Sequence, residues 1–414
     1  MICGAETQIK TTKVKMDYST FTFELDCDAE GAVIEVASLY ARLETLTDKR
    51  HRQGLRYPLP LILVALVLGK LAGEDKPEGI AAWAQLRKDL FIQAFGLKQP
   101  NMPHANTYRR VLQTVVVVNE LAAVVDGFLA ELLAADPAEH YALDGKTLRG
   151  TRARGERQGL HLLAVYVPGK GLTLRQLEVA EQTNEIPVAQ QALERLDLQG
   201  KIVTGDALHT QRETSALIVE AGGDYLWLAK ENQARLQQDI AQLFAPEVCV
   251  PGFSPAPTDF QTIHQVHKGH GRIEKRSLTV SSLLTESSNW PYLAQVFKLK
   301  RFITTLAGEV LRNEVVYGLT SLATAAANPQ RLLTLQRQHW AIESELHYRR
   351  DVSLGEDACR CKHRRMAHAL AILNNLVIAL LLRNHNPNAP QAQRYYNAHP
   401  DHALNLLFRA PARL

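Results

Sequence analysis

Residues 140–150 read HYALDGKTLRG, and the fold turns on whether this Gly-Lys-Thr belongs to a phosphate-binding loop or to a strand end. A P-loop needs a glycine five positions before the glycine of Gly-Lys-Thr, so that backbone N–H groups can wrap the phosphates. Five positions before Gly145 stands His140, and no other glycine lies between them. A nucleotide cradle of that kind is excluded. What remains is a short apolar strand ending on an acid, Asp144, with Lys146 and Arg149 just behind it.

Working outward, GLHLLAVYV and LTLRQLEVA read as two more strands joined at the turn PGKG. EIPVAQQALERLD follows as a helix, with Pro187 tolerated in its first turn. KIVTGDA is a buried strand, TQRETSALIVEAG a helix, and DYLWLAK another strand. The order β, β, β, α, β, α, β predicts a mixed α/β sheet with helices on its faces. Upstream, residues 32–135 are helical in pattern, including the apolar run LPLILVALVLGKLAG and the long stretch NTYRRVLQTVVVVNELAAVVDGFLAELLAA. The basic loop DKRHRQGLR, with Lys49, Arg50 and Arg52, lies between the first helices and reads as either a solvated connector or a DNA contact. Residues 1–31 read as a loosely ordered extension.

Downstream, residues 244–325 break the strand–helix rhythm. FQTIHQVHKGHGRIEKRSLTV and the pair VFKLKRFITTL and RNEVVYGLTSL read as two hairpins. From Asn328 one long helix is predicted through NPQRLLTLQRQHWAIESELHYRR, then a last helix, HALAILNNLVIALLLRN. The division is thus a helical domain at 32–135, an α/β core at 136–243 and 326–385, a β-rich insertion at 244–325, and an irregular tail at 386–414.

Composition bounds the function classes. The 414 residues carry 46% apolar and 22% charged side chains with a net charge of +4, which describes an ordinary folded chain rather than a disordered one. Bulk charge does not announce a nucleic-acid binder, but the basic residues are clustered, and clusters steer polyanions. Five mostly isolated cysteines argue for a reducing, cytoplasmic compartment and against a disulfide framework. The run from Leu59 is interrupted by Lys70 and is shorter than the roughly 20 residues of a membrane span. No membrane association or export is expected.

Two further acids complete a set. Asp206 in KIVTGDALHTQ lies just beyond an apolar strand, as Asp144 does. Side chains at the carboxyl ends of neighbouring strands converge on the ligand crevice of open α/β sheets, so the two aspartates meet if their strands are adjacent. Glu343 lies on a helical stripe with His339, His347 and Arg350, which reads either as a salt-bridged surface face or as placing Glu343 at the rim of the core, within reach of the two aspartates. Three carboxylates suit a hard, oxygen-preferring ion such as magnesium or manganese. Two such ions roughly 4 Å apart can activate an attacking oxygen and stabilise a leaving one at a phosphodiester.

These residues sit in a run of blocks that resembles a known family: GLRYPLPLILVALVLGKLAG, PHANTYRRVL, LDGKTLRG, TNEIP, VTGDALHTQ, DYLWLAKENQ, HGRIEKR and HWAIESELHYRRDVSLGED. In order from about residue 54 to 357, they resemble the H-repeat-associated (ISAs-type) insertion-sequence transposases of the DDE superfamily. The resemblance implies an RNase H-like core with its first and fourth strands side by side. It implies the acid triad Asp144, Asp206 and Glu343, holding two magnesium or manganese ions. It also implies double-stranded DNA as partner, at the element's terminal repeats and at the target, and a dimer on that DNA. Water attacks the phosphodiester at the element's end, and the freed 3′-hydroxyl then attacks target DNA. Some relatives carry a tyrosine, arginine, glutamate and lysine signature around the third acid; the matching positions are Gln336, His339, Glu343 and Arg350. Lys146, Arg149, Lys230, Arg272, His339 and Arg350 are the expected DNA contacts. Trp340 reads as a core residue, with base stacking as the alternative. The competing functions are a catalytically silent DNA-binding descendant and an endonuclease that cuts without joining.

Overall fold

The computed structural model describes residues 27–28, 31–32, 35–51, 53, 55–152, 154–155, 158–246, 258–269, 271–383 and 388–410. Most of the expected extension at 1–31, and Arg52 of the basic loop, lie outside the described residues. Six helices come first: α1 (Leu39–Leu43), α2 (Leu59–Leu71), α3 (Pro77–Leu86), α4 (Lys88–Phe95), α5 (Ala105–Arg110) and α6 (Val118–Ala135). The apolar run from Leu59 forms α2, buried on all sides, with Pro58 as its N-cap and Pro60 tolerated in the first turn. The stretch from Asn106 is not one helix. His104 caps α5 through a hydrogen bond to the Asn106 N–H, and the chain extends at Val116 before α6 begins.

The sheet is built from β1 (His140–Leu148), β2 (Leu160–Val167), β3 (Leu172–Val179), β4 (Ile202–Gly205), β5 (Asp224–Ala229), β6 (Gln261–Gly269), β7 (Arg272–Ser281), β8 (Gln295–Thr305) and β9 (Val310–Thr320). Its order is β3-β2-β1-β4-β5-β9-β8-β7-β6. β1, β2 and β3 form an antiparallel meander, and β4 and β5 add in parallel. The parallel additions need crossovers, which α7 (Glu185–Leu193) and α8 (Arg212–Glu220) supply; α9 (Ala234–Leu243) follows β5. The first five strands thus have the mixed, RNase H-like order. The two hairpins from the 244–325 stretch continue the same sheet: β9 pairs antiparallel with β5, from Leu226 opposite Thr320 to Ala229 opposite Tyr317.

The long helix expected from Asn328 is two pieces. α10 (Pro329–His339) is regular, with Asn328 as its cap. Residues Ile342–His347 and Arg349–Ser353 then wind more loosely with i→i+5 hydrogen bonds, the Tyr348 N–H reaching the Glu343 carbonyl and the Leu354 N–H that of Arg349. Wide turns of this kind are concentrated at functional sites. α11 (Arg364–Arg383) is the one described helix long and apolar enough to cross a membrane, yet 83% of its apolar window is buried inside the fold. The 386–414 stretch departs from the expected irregular tail. α12 (Ala389–Ala398) and α13 (Pro400–Phe408) bury Ala392, Tyr396, Leu404, Leu407 and Phe408 in the main core.

One hydrophobic core joins the helical region, the β1–β4 face and α11. A second lies under α10, joining Ile202 and Leu228 to Phe297 and Leu299 of the hairpin strands. A polar clamp crosses the first. Arg350, fully buried, donates from Nε and Nη2 to both carboxylate oxygens of Glu356 at 2.7 and 3.0 Å. It also donates to Gln176 on β3, while Asn374 on α11 donates to Glu356. Arg350→Ala leaves Glu356 charged and unpaired, and is expected to cost about 3–5 kcal/mol of stability in urea unfolding. Arg350→Met combined with Glu356→Leu removes both charges and is expected to cost clearly less. Equal losses in the two variants would refute the clamp.

Candidate active site

β1 is buried over its first four residues and opens at Asp144, where the sheet's carboxyl end begins. In the parallel ladder Leu143 stands opposite Gly205, so Asp144 and Asp206 are the next residues on two touching strands. Strand spacing there is about 4.8 Å. The adjacency left open by the pattern of residues is met. Asp206 is exposed and caps a short turn, its Oδ1 accepting from the Leu208 N–H at 2.9 Å.

Glu343 reaches the site from the wide helical turn above β1. His347 lies between the acids: its Nδ1 is 3.3 Å from Glu343 Oε2 and 3.4 Å from Asp144 Oδ2. Ligand atoms of Asp144, Glu343 and His347 all fall within 4.8 Å of one another. His347, grouped earlier with a surface stripe, is buried and belongs to this cluster, while Asp206 stands beside it.

The charges are under tension. Asp144 is pushed up to about 8, first by burial, then by Glu343, with Asp206 adding to the effect. Glu343 is held below the usual carboxylate range, first by its hydrogen bond with His347. Burial pushes His347 down as well. A cationic His347 would be needed for its full effect on Glu343, and burial disfavours that cation. The direction that stands is a neutral imidazole beside one ionised and one protonated carboxyl.

The reverse face of the same strand ends carries a second polar network that the residue pattern did not single out. Glu185, the first residue of α7 after its Asn184 cap, accepts from His161 Nε2 at 2.8 Å and lies 3.3 Å from His209 Nε2. His161 in turn meets Thr147 at 2.7 Å. Gly145 makes room for it: a Cβ there would come 2.3 Å from Glu185 Oε1. Since His209 ends the turn that Asp206 begins, the network braces the second aspartate from below. The available signal was the block TNEIP itself, an acid placed directly after a helix cap.

The expected DNA contacts divide. Arg149 and Lys230 are exposed at the strand ends. Lys146, on the face of Asp144, is engaged by Asp351 at 2.6 Å. Arg272 is half exposed and paired with Glu274, but β7 is four strands from β4. His339 and Arg350 are corrections: both are buried, His339 packed on Thr204 and pushed down to about 3 by burial, Arg350 locked on Glu356. Neither reaches solvent to meet a phosphate. Gln336 is buried too, whereas Trp340 is 44% exposed and not a core residue. In the basic loop Arg50 turns inward onto Asp48 and the Tyr57 carbonyl, leaving Lys49 exposed.

The sheet order, with Asp144 and Asp206 just past the parallel-paired stretch of β1 and β4, is that of an RNase H-like core. Residues 136–381 match the transposase DDE domain family, and residues 40–128 match the family associated with that domain. The chain belongs to the transposase DDE domain family. It is 25% identical over 353 residues to the H repeat-associated putative transposase YhhI of Escherichia coli, covering 84% of this chain and 91% of that relative. It is also 29% identical over 254 residues to an uncharacterized protein in the dhlA 3′ region of Xanthobacter autotrophicus, covering 60% and 83%. A cryo-EM structure of the piggyBac transposase synaptic complex with hairpin DNA overlaps 91% of this chain and 78% of its own, with a TM-score of 0.41 and 10% identity.

Two pH dependences follow. A carboxyl raised above its unfolded value stabilises the fold fully below about 4 and loses that contribution as pH rises through about 8. Asp144→Asn is therefore expected to raise the melting temperature in chelated buffer above about pH 8, and an unchanged or lower value would count against the buried, crowded acid. Glu185 behaves oppositely: burial raises it, but the hydrogen bond from His161 and the His209 ring 3.3 Å away prevail and hold it down to about 2. Its contribution is present above the unfolded value of 4.5 and is lost as pH falls toward 2. Glu185→Gln is expected to destabilise at neutral pH, with the gap to wild type closing over that acid window.

Proposed function

We propose that this chain cuts DNA at the ends of an insertion sequence and joins those ends to target DNA, using Asp144, Asp206 and Glu343 with divalent magnesium or manganese. The observation that carries the reading is the convergence of Asp144, Glu343 and His347, with Asp206 at the next register position of the parallel ladder. The two carboxylates suit such an ion, and their oxygens already lie within 4.8 Å of one another and of a His347 ring nitrogen. Asp144, Glu343 and His347 would hold one ion, and Asp144 with Asp206 a second. Bound there, the ions would activate the attacking oxygen and offset charge on the leaving one.

The chain's own residues supply the rest. The proton that burial and Glu343 keep on Asp144 leaves when the acid becomes a ligand, so loading releases acid to solvent. Asp206 holds the Leu208 N–H with Oδ1 alone, which leaves Oδ2 to serve as a ligand. Arg149 and Lys230 are exposed on the strand-end side and are the residues proposed to hold phosphates, with Lys146 joining if Asp351 releases it. Such contacts make binding fall with salt.

The test pairs manganese binding with cleavage and strand transfer on a duplex carrying the element's terminal repeat. Wild type is expected to cut and join in magnesium; Asp144→Ala, Asp206→Ala and Glu343→Ala are each expected to do neither. Asp206→Asn is expected to keep the tighter of two manganese ions, while Asp144→Asn loses both. Tight DNA binding without cutting by wild type would replace this reading with a silent DNA-binding descendant. Cutting without joining would leave an endonuclease.

A further inference from the structure

Away from the acids, the elbow between α12 and α13 brings two imidazoles and a carboxylate together within four residues, His399, Asp401 and His402. Their donor atoms lie within 4.8 Å of one another, and all three side chains are partly exposed. His399 ends α12 and caps α13, Pro400 fixes the first turn, and Asp401 and His402 follow directly in it. The Tyr395 hydroxyl meets His402 Nδ1 at 2.6 Å. This leaves Nε2 as the nitrogen turned toward Asp401, 3.7 Å from its Oδ2. The rings of His399 and His402 lie nearly parallel with centroids 5.1 Å apart, and the Tyr395 ring is 4.8 Å from that of His399. An outer hydrogen bond that orients a histidine is the usual support of a metal-binding imidazole.

We propose that His399, Asp401 and His402 form a second metal site, for a borderline divalent ion such as zinc, separate from the catalytic acids. Two nitrogens and one oxygen suit zinc or cobalt, at about 2.0–2.2 Å per bond. They do not suit magnesium, which wants an oxygen octahedron. A tetrahedral ion holds its donors about 3.3 Å apart, so the three partly exposed side chains would draw in from their present spacing of within 4.8 Å. The positive end of α13 opposes a cation there, and the Asp401 carboxylate offsets it. The ion would fix the angle between α12 and α13. α12 is itself tied to the wide turn behind Glu343, through Gln393 donating to the Ser353 carbonyl at 3.2 Å.

The experiment titrates cobalt(II) into the chelator-treated full chain carrying Asp144→Asn and Glu343→Gln, which silence the acid cluster, and reads the visible absorption of the bound ion. One cobalt per chain with a tetrahedral spectrum is expected, displaced by zinc and untouched by excess magnesium. His399→Gln and His402→Gln are each expected to abolish it. Tyr395→Phe, which keeps the ring and removes only the hydroxyl, is expected to weaken it roughly ten- to hundredfold. Zinc should also raise the melting temperature of the parent and not that of His402→Gln. No saturable binding by a parent shown to be folded by circular dichroism would overturn the proposal, as would equal binding by both histidine variants. Neither result touches the transposase reading, whose acids are already replaced in this background.

Discussion

A buried arginine holds the site together. Arg350 meets Glu356 with two parallel hydrogen bonds, Gln176 ties the pair to β3, and Asn374 ties it to α11. The wide helical turn bearing Glu343 and His347 is thereby pinned between a strand and a helix that belong to different parts of the chain. A charge in that interior is tolerable only because every partner is in place. The consequence for chemistry is direct: the Glu343 side chain is more than half exposed, at 55%, so its place depends on the turn beneath it, which the buried Ile342 and Leu346 seat in the core and the clamp fixes from behind.

The two faces of the central strands do different work. On one, Asp144, Glu343 and His347 crowd like charges around a proton that an ion can displace. On the other, Glu185 gathers His161 and His209 beneath the same residues, and Gly145 is the thin wall between them. One face is poised to lose a proton; the other stays ionised far into the acid range. Asp144 and Gly145 face opposite sides because side chains alternate across the sheet, so the strand acid and the helix acid Glu185 are tuned apart on either side of one strand.

Much of the fold was readable from pattern. Strand–helix alternation from His140 to Ala229 gave the element order, and the two hairpins appeared where turns and β-prone residues placed them. Pairing partners were not readable, because register depends on contacts distant in sequence; the family resemblance supplied the adjacency of β1 and β4. The stripe His339, Glu343, His347, Arg350 was correct in spacing and misleading in environment. A guanidinium at a helix edge reads as solvated, and nothing local marks Glu356, beyond the helix end, as its buried counter-charge. The i→i+5 turns are likewise invisible to a regular helical period. Trp340 erred in the opposite direction: a large apolar ring reads as core, yet it lies outside on the turn next to Glu343. α12 and α13 were missed because each is short, ten and nine residues, and only the N-terminal helices they cover make sense of them.

The pairing of β5 with β9 has a mechanical meaning. Four residues of β5 are laddered to β9 on one side while three bond with β4 on the other, so the hairpin strands and the acid-bearing strands form one stiff beam. Swinging one end of it against the other would mean tearing open a ladder and parting the core beneath α10, which both ends share. Whatever rearranges when a long, stiff polymer is gripped must therefore be the loops and short turns along the beam's rim, with Asp206 in one of them, while the beam keeps its length and twist.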